Sequence, residues 1–402
     1  MKKVYIVAAK RTAIGKFLGS ATSKTAAELG ATVIKEIIKD TGINPADLDE
    51  VIVGNVLSAG QGQGVARQAA IKGGVPQEVP AYGVNMICGS GMKAVLNAVM
   101  AIQSGYENLI LAGGTESMSN AGYVIPGNIR NGHRMGHGQF IDHMVHDGLT
   151  DAFSGDHMGV TAENIAKKYD ISREEQDSFA LESQRKAAEA IDKGNFKEEI
   201  VPIEYKVKKE TLVFDTDEFP NRTTSAEKVA RLRPAFITEG SVTAANASGI
   251  NDGASFILVA SEEAVKKHGL KPMVEIVGIG QGGVDPALMG LGPVPAIRMA
   301  LKNAGLKLDD IDVIELNEAF AAQSLGVIIE LMQEHGVTRE WIDEHVNPNG
   351  GAIALGHPIG ASGNRIIVSL IYEMLRNKSN LGLASLCIGG GMGTAIILKK
   401  VN

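Results

Sequence analysis

TGINPADLDEVIVGN (residues 41–55) and AGLKLDDIDVIELN (residues 304–317) carry one pattern twice, with a single-residue gap between them. In each copy a glycine closes an amphipathic stretch and an aliphatic residue follows. A polar turn ending on Asp then leads into a short aliphatic run that stops at Asn. Glycine ends a helix without steric penalty, and a short apolar run between turn signals reads as a buried strand. The repeated unit is therefore helix, turn, strand. Upstream of the first copy, Leu29, Val33, Ile34, Ile37 and Ile38 fall on one face, which predicts a helix over 26–41 capped by Gly42. KVYIVAA (3–9) predicts a buried strand before it, and EVIVG (50–54) predicts the next.

A second matched pair lies further out. NLILAGGTESMS (108–119) and LASLCIGGGMGT (383–394) each run from an apolar strand into a glycine turn. Asn55 precedes Cys88 by 33 residues, and Asn317 precedes Gly350 by 33. Alternating strands and helices, with a repeat at this scale, predict an α/β protein built from two related halves. Residues 1–118 with 246–271 form the first half and residues 272–402 the second. Residues 119–245 read as an inserted loop domain. They hold His133, His137, His143 and His146, a charged stretch at 161–193 that predicts one helix, and few long apolar runs. Insertions on a rigid sheet are where substrate contacts concentrate.

The gross composition narrows the function classes. With 402 residues the chain exceeds what one core usually serves. Hydrophobic residues at 44% and charged residues at 21% describe an ordinary globular protein. A net charge of −7 with no long basic run argues against a nucleic-acid surface. The opening MKKVYIVAAKRTAIGKF has too short an apolar run for a signal peptide, and no apolar stretch is long enough to span a membrane. Two cysteines, Cys88 and Cys387, make no disulfide framework and no cysteine-based zinc site. A reducing cytoplasm with both thiols free is the expectation.

Cys88 closes the strand-like run VPAYGVNMI and opens the helical GSGMKAVLNAVMAIQSG, whose buried stripe is Met92, Val95, Leu96 and Val99. At a helix N-terminus, free N–H groups and the positive end of the dipole favour a thiolate, and Gly89 and Gly91 leave room for a substrate. Cys387 follows the apolar run LGLASL and enters the turn CIGGGMG, whose backbone N–H groups can face a developing oxyanion. A reactive cysteine needs a base. NGGAIALGHPIGASG (349–363) offers His357 between Gly356 and Pro358.

Over essentially its whole length the chain resembles the thiolase family. The resemblance rests on MICGSGM (86–92), GGTESMS (113–119), NASGINDGA (246–254), NEAF (317–320), GGAIALGHPIGASG (350–363) and CIGGGMG (387–393) in that order. It implies layered α-β-α-β-α halves and a reversible exchange of acyl groups between coenzyme A thioesters. On this reading Cys88 is the nucleophile, His357 takes its proton, and Cys387 works on the α-carbon proton of a second acetyl-CoA. Asn317 would hold a water beside His357, and the N–H groups of Cys88 and Gly389 would receive the acyl oxygen. His157-Met158-Gly159 is similar to the short-chain biosynthetic branch, in which the methionine closes the acyl pocket and acetoacetyl-CoA is the product. His157 and Ser248 would contact the pantetheine arm, with Leu149, Phe236, Ala244, Met289 and Phe320 along its tunnel. The substrates implied are acetyl-CoA, acetoacetyl-CoA and CoA, with no cofactor, no metal and a homotetramer assembled through the 119–140 segment. Two departures stand out. DEFPNR places Asn221 where the family commonly has Arg, moving Arg222, a candidate for coenzyme A binding, one residue along. TAANASG has Ala245 in place of a glycine.

Other readings are weaker. The four histidines at 133–146 have metal-like spacing but no cysteine joins them, so surface or subunit-contact positions are expected. GQGQG (60–64) and GIGQGG (278–283) are not the dinucleotide fingerprint. A β-ketoacyl synthase shares the nucleophile and the duplicated halves but uses His where Cys387 stands. A broader-chain 3-ketoacyl-CoA thiolase is the near alternative, and a non-catalytic lipid carrier would not need both cysteines beside His357.

Overall fold

The computed structural model describes residues 2–401. In the first half, β1 (Val4–Thr12) leads to α1 (Ala26–Thr41), β2 (Glu50–Gly54), α2 (Val65–Lys72), β3 (Ala81–Val84), α3 (Ser90–Ser104) and β4 (Leu109–Ser117). The chain then leaves the sheet and builds α4 (Met158–Tyr169) and α5 (Arg173–Lys193) before returning as β5 (Asn251–Ser261). The second half comprises β6 (Val274–Gly283), α6 (Pro293–Ala304), β7 (Val313–Leu316), α7 (Ala321–His335), α8 (Ile359–Asn377), β8 (Leu381–Ile388) and β9 (Met392–Lys400).

Local chemistry sets these boundaries. Thr25 and Glu28 form a capping box at the start of α1, and Gly42 ends it in the left-handed region at φ 64°. The single helix expected over 161–193 is instead two. Asp170 turns left-handed at φ 52°, and Ser172 with Glu175 makes a second capping box that starts α5. A strong start signal inside the charged stretch overrides its continuous helix propensity.

The main sheet runs β7-β8-β9-β6-β1-β5-β4-β2-β3. Each half repeats one pairing scheme. β2 pairs parallel with β4, and β4 then β5 then β1 pair antiparallel; β7 pairs parallel with β8, and β8 then β9 then β6 pair antiparallel. The halves join through β1 and β6, from Val4↔Ile276 to Ile6↔Val274. Side-chain alternation gives the layers. Val51 and Val53 pack outward with α1 and α2, whereas Ile52 packs inward with α3 and α8. Ile314 and Leu316 pack outward with α6 and α7, and Val313 packs inward. The order is helices, sheet, α3 and α8, sheet, helices.

This symmetry corrects one equivalence. The 33-residue interval matched Cys88 to Gly350. In the structure, Cys88 lies two residues before α3 and His357 two residues before α8, so these two occupy equivalent sites. The second half inserts the short helix Ala352–Leu355 ahead of its central helix, which lengthens the interval. Gly54↔Gly114 and Leu316↔Ser385 are the matching parallel pairs, so Asn55 corresponds to Asn317 and Glu116 to Cys387.

The inner layer is tight. A Cβ on Gly114 would lie 2.0 Å from the Gly360 carbonyl oxygen, and one on Gly363 would lie 2.7 Å from the Met92 nitrogen. Backbone atoms cannot yield there. Gly114→Ala should therefore lower stability by about 1–3 kcal/mol through overpacking. Guanidinium unfolding at fixed protein concentration measures this, and an unchanged midpoint would contradict the packing argument.

Candidate active site

Cys88 sits in the link between β3 and α3, and that link is closely tied. Asn85 Oδ1 accepts from the Ile87 N–H at 3.0 Å, and Ser90 Oγ accepts from the Met86 N–H at 2.9 Å while donating to the Ile87 carbonyl at 2.6 Å. These bonds hold Ile87 at φ 45°, a left-handed conformation that a β-branched residue adopts only under constraint. The turn delivers Cys88 to the start of α3. Its sulfur accepts N–H groups from Gly389 and from its own backbone. Burial nevertheless pushes the thiol up to about 11, and the Glu116 carboxyl adds to the rise. The resting group is therefore a thiol, not the thiolate expected from the helix terminus, because desolvation of the anion outweighs the N–H groups.

His357 lines the same cavity as that thiol. Its backbone N–H donates to Asn251 Oδ1 at 2.8 Å, and Asn251 Nδ2 donates to the Gly15 carbonyl at 3.0 Å, anchoring the loop to the first half. Nδ1 lies 2.6 Å from Ser362 Oγ, which is itself 2.9 Å from the Pro358 carbonyl. The hydroxyl has one hydrogen. Given to Pro358, it leaves the oxygen to accept from Nδ1–H, so Nε2 carries the free lone pair. Nε2 is buried and has no protein partner, and neither has Asn317 Oδ1. Asn317 Nδ2 is 3.5 Å from Nδ1, at the limit of a hydrogen bond. Burial first, and the Arg365 guanidinium second, hold the imidazole down to about 3. It is neutral and able to accept a proton.

Cys387 ends β8 paired with Gly393, and the following turn takes Gly390 and Gly391 to φ 83°. Its side chain is buried. Burial drives the thiol far above its ordinary range, and nearby Cys88 adds to this. Cys88, Cys387, His357 and Gly389 all line one cavity of about 530 Å³. His157, Met158, Leu149, Phe236, Ala244, Ser248, Met289 and Phe320 line it too. His157 stacks on Phe236 with centroids 4.6 Å apart, and Phe236 meets Phe320 edge-on. The Met158 sulfur lies over Gly389, 3.5 Å from where a Cβ would stand.

Two family models match, Thiolase, N-terminal domain over residues 4–263 and Thiolase, C-terminal domain over residues 270–400. The chain belongs to the thiolase family. It is 54% identical over 404 residues to an acetyl-CoA acetyltransferase of Syntrophomonas wolfei, with all of both chains covered. It is 53% identical over 402 residues to an acetyl-CoA acetyltransferase of Escherichia coli, again with all of both covered. A solved structure of acetyl-CoA acetyltransferase from Syntrophomonas wolfei is similar at a TM-score of 0.96 and 43% identity, covering 100% of each chain.

In this thiolase, two of the expected site residues stand outside the cavity. Asn317 is behind it, against His357. Arg222 is exposed and its guanidinium is clamped by Asp192, at 2.8 Å and 3.0 Å, so it does not reach the cavity. His143 is not a surface histidine. It is buried, with Nδ1 2.5 Å from Asp147 Oδ2 and Nε2 accepting from the Ala59 N–H. Among the described residues, no group of three or more His, Cys, Asp or Glu is placed to hold a metal ion.

Three positioning residues escaped the sequence reading: Asn251, Ser362 and Glu116. Buried Glu116 accepts from Asn55 Nδ2, the Val56 and Leu57 N–H groups and the Gly360 N–H, binding the loop after β2 to the first turn of α8. Burial raises it to about 7 despite those donors. A polar residue inside a strand that is otherwise fully buried, such as Asn251 in NDGASFILVAS, is the signal that marks such a role.

The depressed His357 has a consequence for stability. Between its ordinary 6.5 and about 3, the unfolded chain binds a proton on this imidazole that the folded chain does not. Its contribution is thus intact above pH 6.5 and is lost as pH falls through that window. His357→Gln should flatten this part of the acid limb. Urea midpoints for both proteins between about pH 7 and pH 4.5 test it, and parallel curves would contradict the burial argument.

Proposed function

We propose that this thiolase is an acetyl-CoA C-acetyltransferase, joining two acetyl-CoA to give acetoacetyl-CoA and CoA, reversibly, through an acetyl-Cys88 intermediate. The observation that carries it is the convergence of two thiols and one neutral imidazole at a single cavity, which Met158 also lines. The similarity to full-length relatives named acetyl-CoA acetyltransferase supports the same reading.

The protons balance around a cycle. His357 Nε2 takes the Cys88 proton as sulfur attacks the thioester carbonyl, whose oxygen gathers charge at the N–H groups of Cys88 and Gly389. The departing CoA thiolate takes the Cys387 proton and leaves as CoA. Cys387, now a thiolate beside imidazolium, removes an α-proton from the second acetyl-CoA. The enolate oxygen accepts from His357 Nε2–H. The enolate carbon attacks the acetyl group, and Cys88 leaves as thiolate and recovers its proton from His357. A thiol with an elevated proton affinity suits Cys387, since its anion is then a strong base. A β-ketoacyl synthase has no such thiol.

Residues 119–245 form, in this proposal, the loop domain for coenzyme A and subunit contacts. Tyr123, Met135 and Phe140 expose apolar surface there, which supports a homotetramer. A cytoplasmic location fits a chain in which, among the described residues, no helix is long and apolar enough to cross a membrane.

Met158→Ala should admit longer 3-ketoacyl-CoA substrates and modestly slow acetoacetyl-CoA, since each added methylene gains up to ~1 kcal/mol of burial. Thiolysis rates across a chain-length series measure this. An unaltered profile would mean another residue closes the pocket.

Cys387→Ala separates the half-reactions. It should still take an acetyl group on Cys88, seen by intact mass. It should form acetoacetyl-CoA at least ~100-fold more slowly and fail to exchange the acetyl methyl protons with deuterium, the scale of losing a positioned base. Condensation at the normal rate would transfer both proton steps to His357.

A further inference from the structure

We infer that Lys16 is the cation that receives the phosphates of the coenzyme A arm, in the place that Arg222 does not fill; this rests on the proposed function. Lys16 lies in the short strand Gly15–Lys16 on the edge of β5, with its side chain exposed. It lines the mouth of the catalytic cavity. It also lines two neighbouring cavities, one of about 370 Å³ with Phe219, Asn221 and Ala244, and one of about 580 Å³ with Ser20, Lys206 and Glu218. In the catalytic cavity and the Asn221 cavity it is the only lysine or arginine among the described lining residues.

The neighbouring charges leave it free. Among the described residues, the Lys16 ammonium has no carboxylate within ion-pair distance. Glu218, which lines one of these cavities with it, is occupied: Oε1 accepts from the backbone N–H groups of Lys16 and Ser20, and Oε2 accepts from Ser20 Oγ. Arg222 is the reverse case, a guanidinium already held by both oxygens of Asp192 on α5. A pantetheine arm reaching Cys88 through the cavity must leave its phosphates at the mouth, where an unpaired, flexible point charge serves best. The chain's net charge of −7 makes a local cation there more important for a polyanionic substrate.

Both the diphosphate and the 3′-phosphate share this chemistry, and truncated substrates separate them. Kinetics of Lys16→Gln and Lys16→Arg would be measured with acetyl-CoA, S-acetyl-dephospho-CoA, which lacks the 3′-phosphate, and S-acetylpantetheine, which has no diphosphate or 3′-phosphate. Lys16→Gln should raise KM for acetyl-CoA about tenfold, the scale of one charge-assisted contact at a partly exposed site, with kcat within about twofold. Lys16→Arg should restore most of the loss. With S-acetylpantetheine, wild type and Lys16→Gln should be alike. A penalty kept with dephospho-CoA places Lys16 on the diphosphate, and a penalty lost there places it on the 3′-phosphate. An equal penalty on all three substrates, or none on acetyl-CoA, would overturn the inference. Wild-type protein inactive on every acetyl thioester would instead overturn the proposed function.

Discussion

Everything at the catalytic centre depends on how closely α3 and α8 approach in the middle layer. Gly91 and Gly363 face backbone across the contact, and Gly114 sits against the Gly360 carbonyl. With no Cβ between them, the two helices bring their N-termini to one point. Each delivers one reactive residue there, Cys88 from the first half and His357 from the second. The proposed nucleophile and its proposed base thus come from equivalent places in a duplicated fold. Duplication explains the remainder of the constellation as well: Asn317 and Cys387 stand where Asn55 and Glu116 stand in the first half. One half keeps a carboxyl that ties loops together, and the other offers a thiol to the cavity.

That arrangement is built in a dry interior, and its electrostatics follow. Both thiols and Glu116 are shifted toward their protonated forms and His357 toward its neutral one, each chiefly by burial. The ground state therefore carries little charge on the two thiols and the imidazole. In the proposed cycle, charge appears only when the proton moves from Cys88 to His357 and another from Cys387 to CoA, and the ions then face each other at low dielectric. Arg365 sharpens the effect. It is buried on α8, 3.6 Å from Glu315, and its guanidinium makes no hydrogen bond among the described residues. Its field disfavours a resting imidazolium, so the imidazolium of the proposed cycle would be a strong acid, ready to return its proton.

The strands, the capped helices, the two-halved plan and the two cysteines that meet at the cavity were legible in the sequence, because periodicity and glycine turns are local. It misled wherever distant contacts decide. The 33-residue interval pointed to Gly350 because counting cannot see that Ala352–Leu355 is an added turn. The helix terminus suggested a thiolate because burial of the sulfur is a tertiary fact. Arg222 looked like a ligand contact because its partner, Asp192, lies on α5 thirty positions earlier in sequence but adjacent in space. Ser362 and Asn251 were in view inside quoted motifs. Their roles emerge only when a hydroxyl's single hydrogen and a loop's backbone N–H are traced to partners.

The inserted segment completes the division of tasks. It is fixed to the first half by Arg11, fully buried on β1, which bonds Glu199 at 2.6 Å and clamps Asp217 at 2.7 Å and 2.9 Å. Removing one member of such a buried set leaves an uncompensated charge, which costs about 3–5 kcal/mol. The segment is thereby held to β1 by buried ion pairs. From it come His157, Met158 and Phe236, which shape the tunnel, whereas Cys88, His357 and Cys387 come from the halves. In the proposed function, acyl-chain preference can change at Met158, whose sulfur lies over Gly389, without disturbing the helices that carry Cys88 and His357.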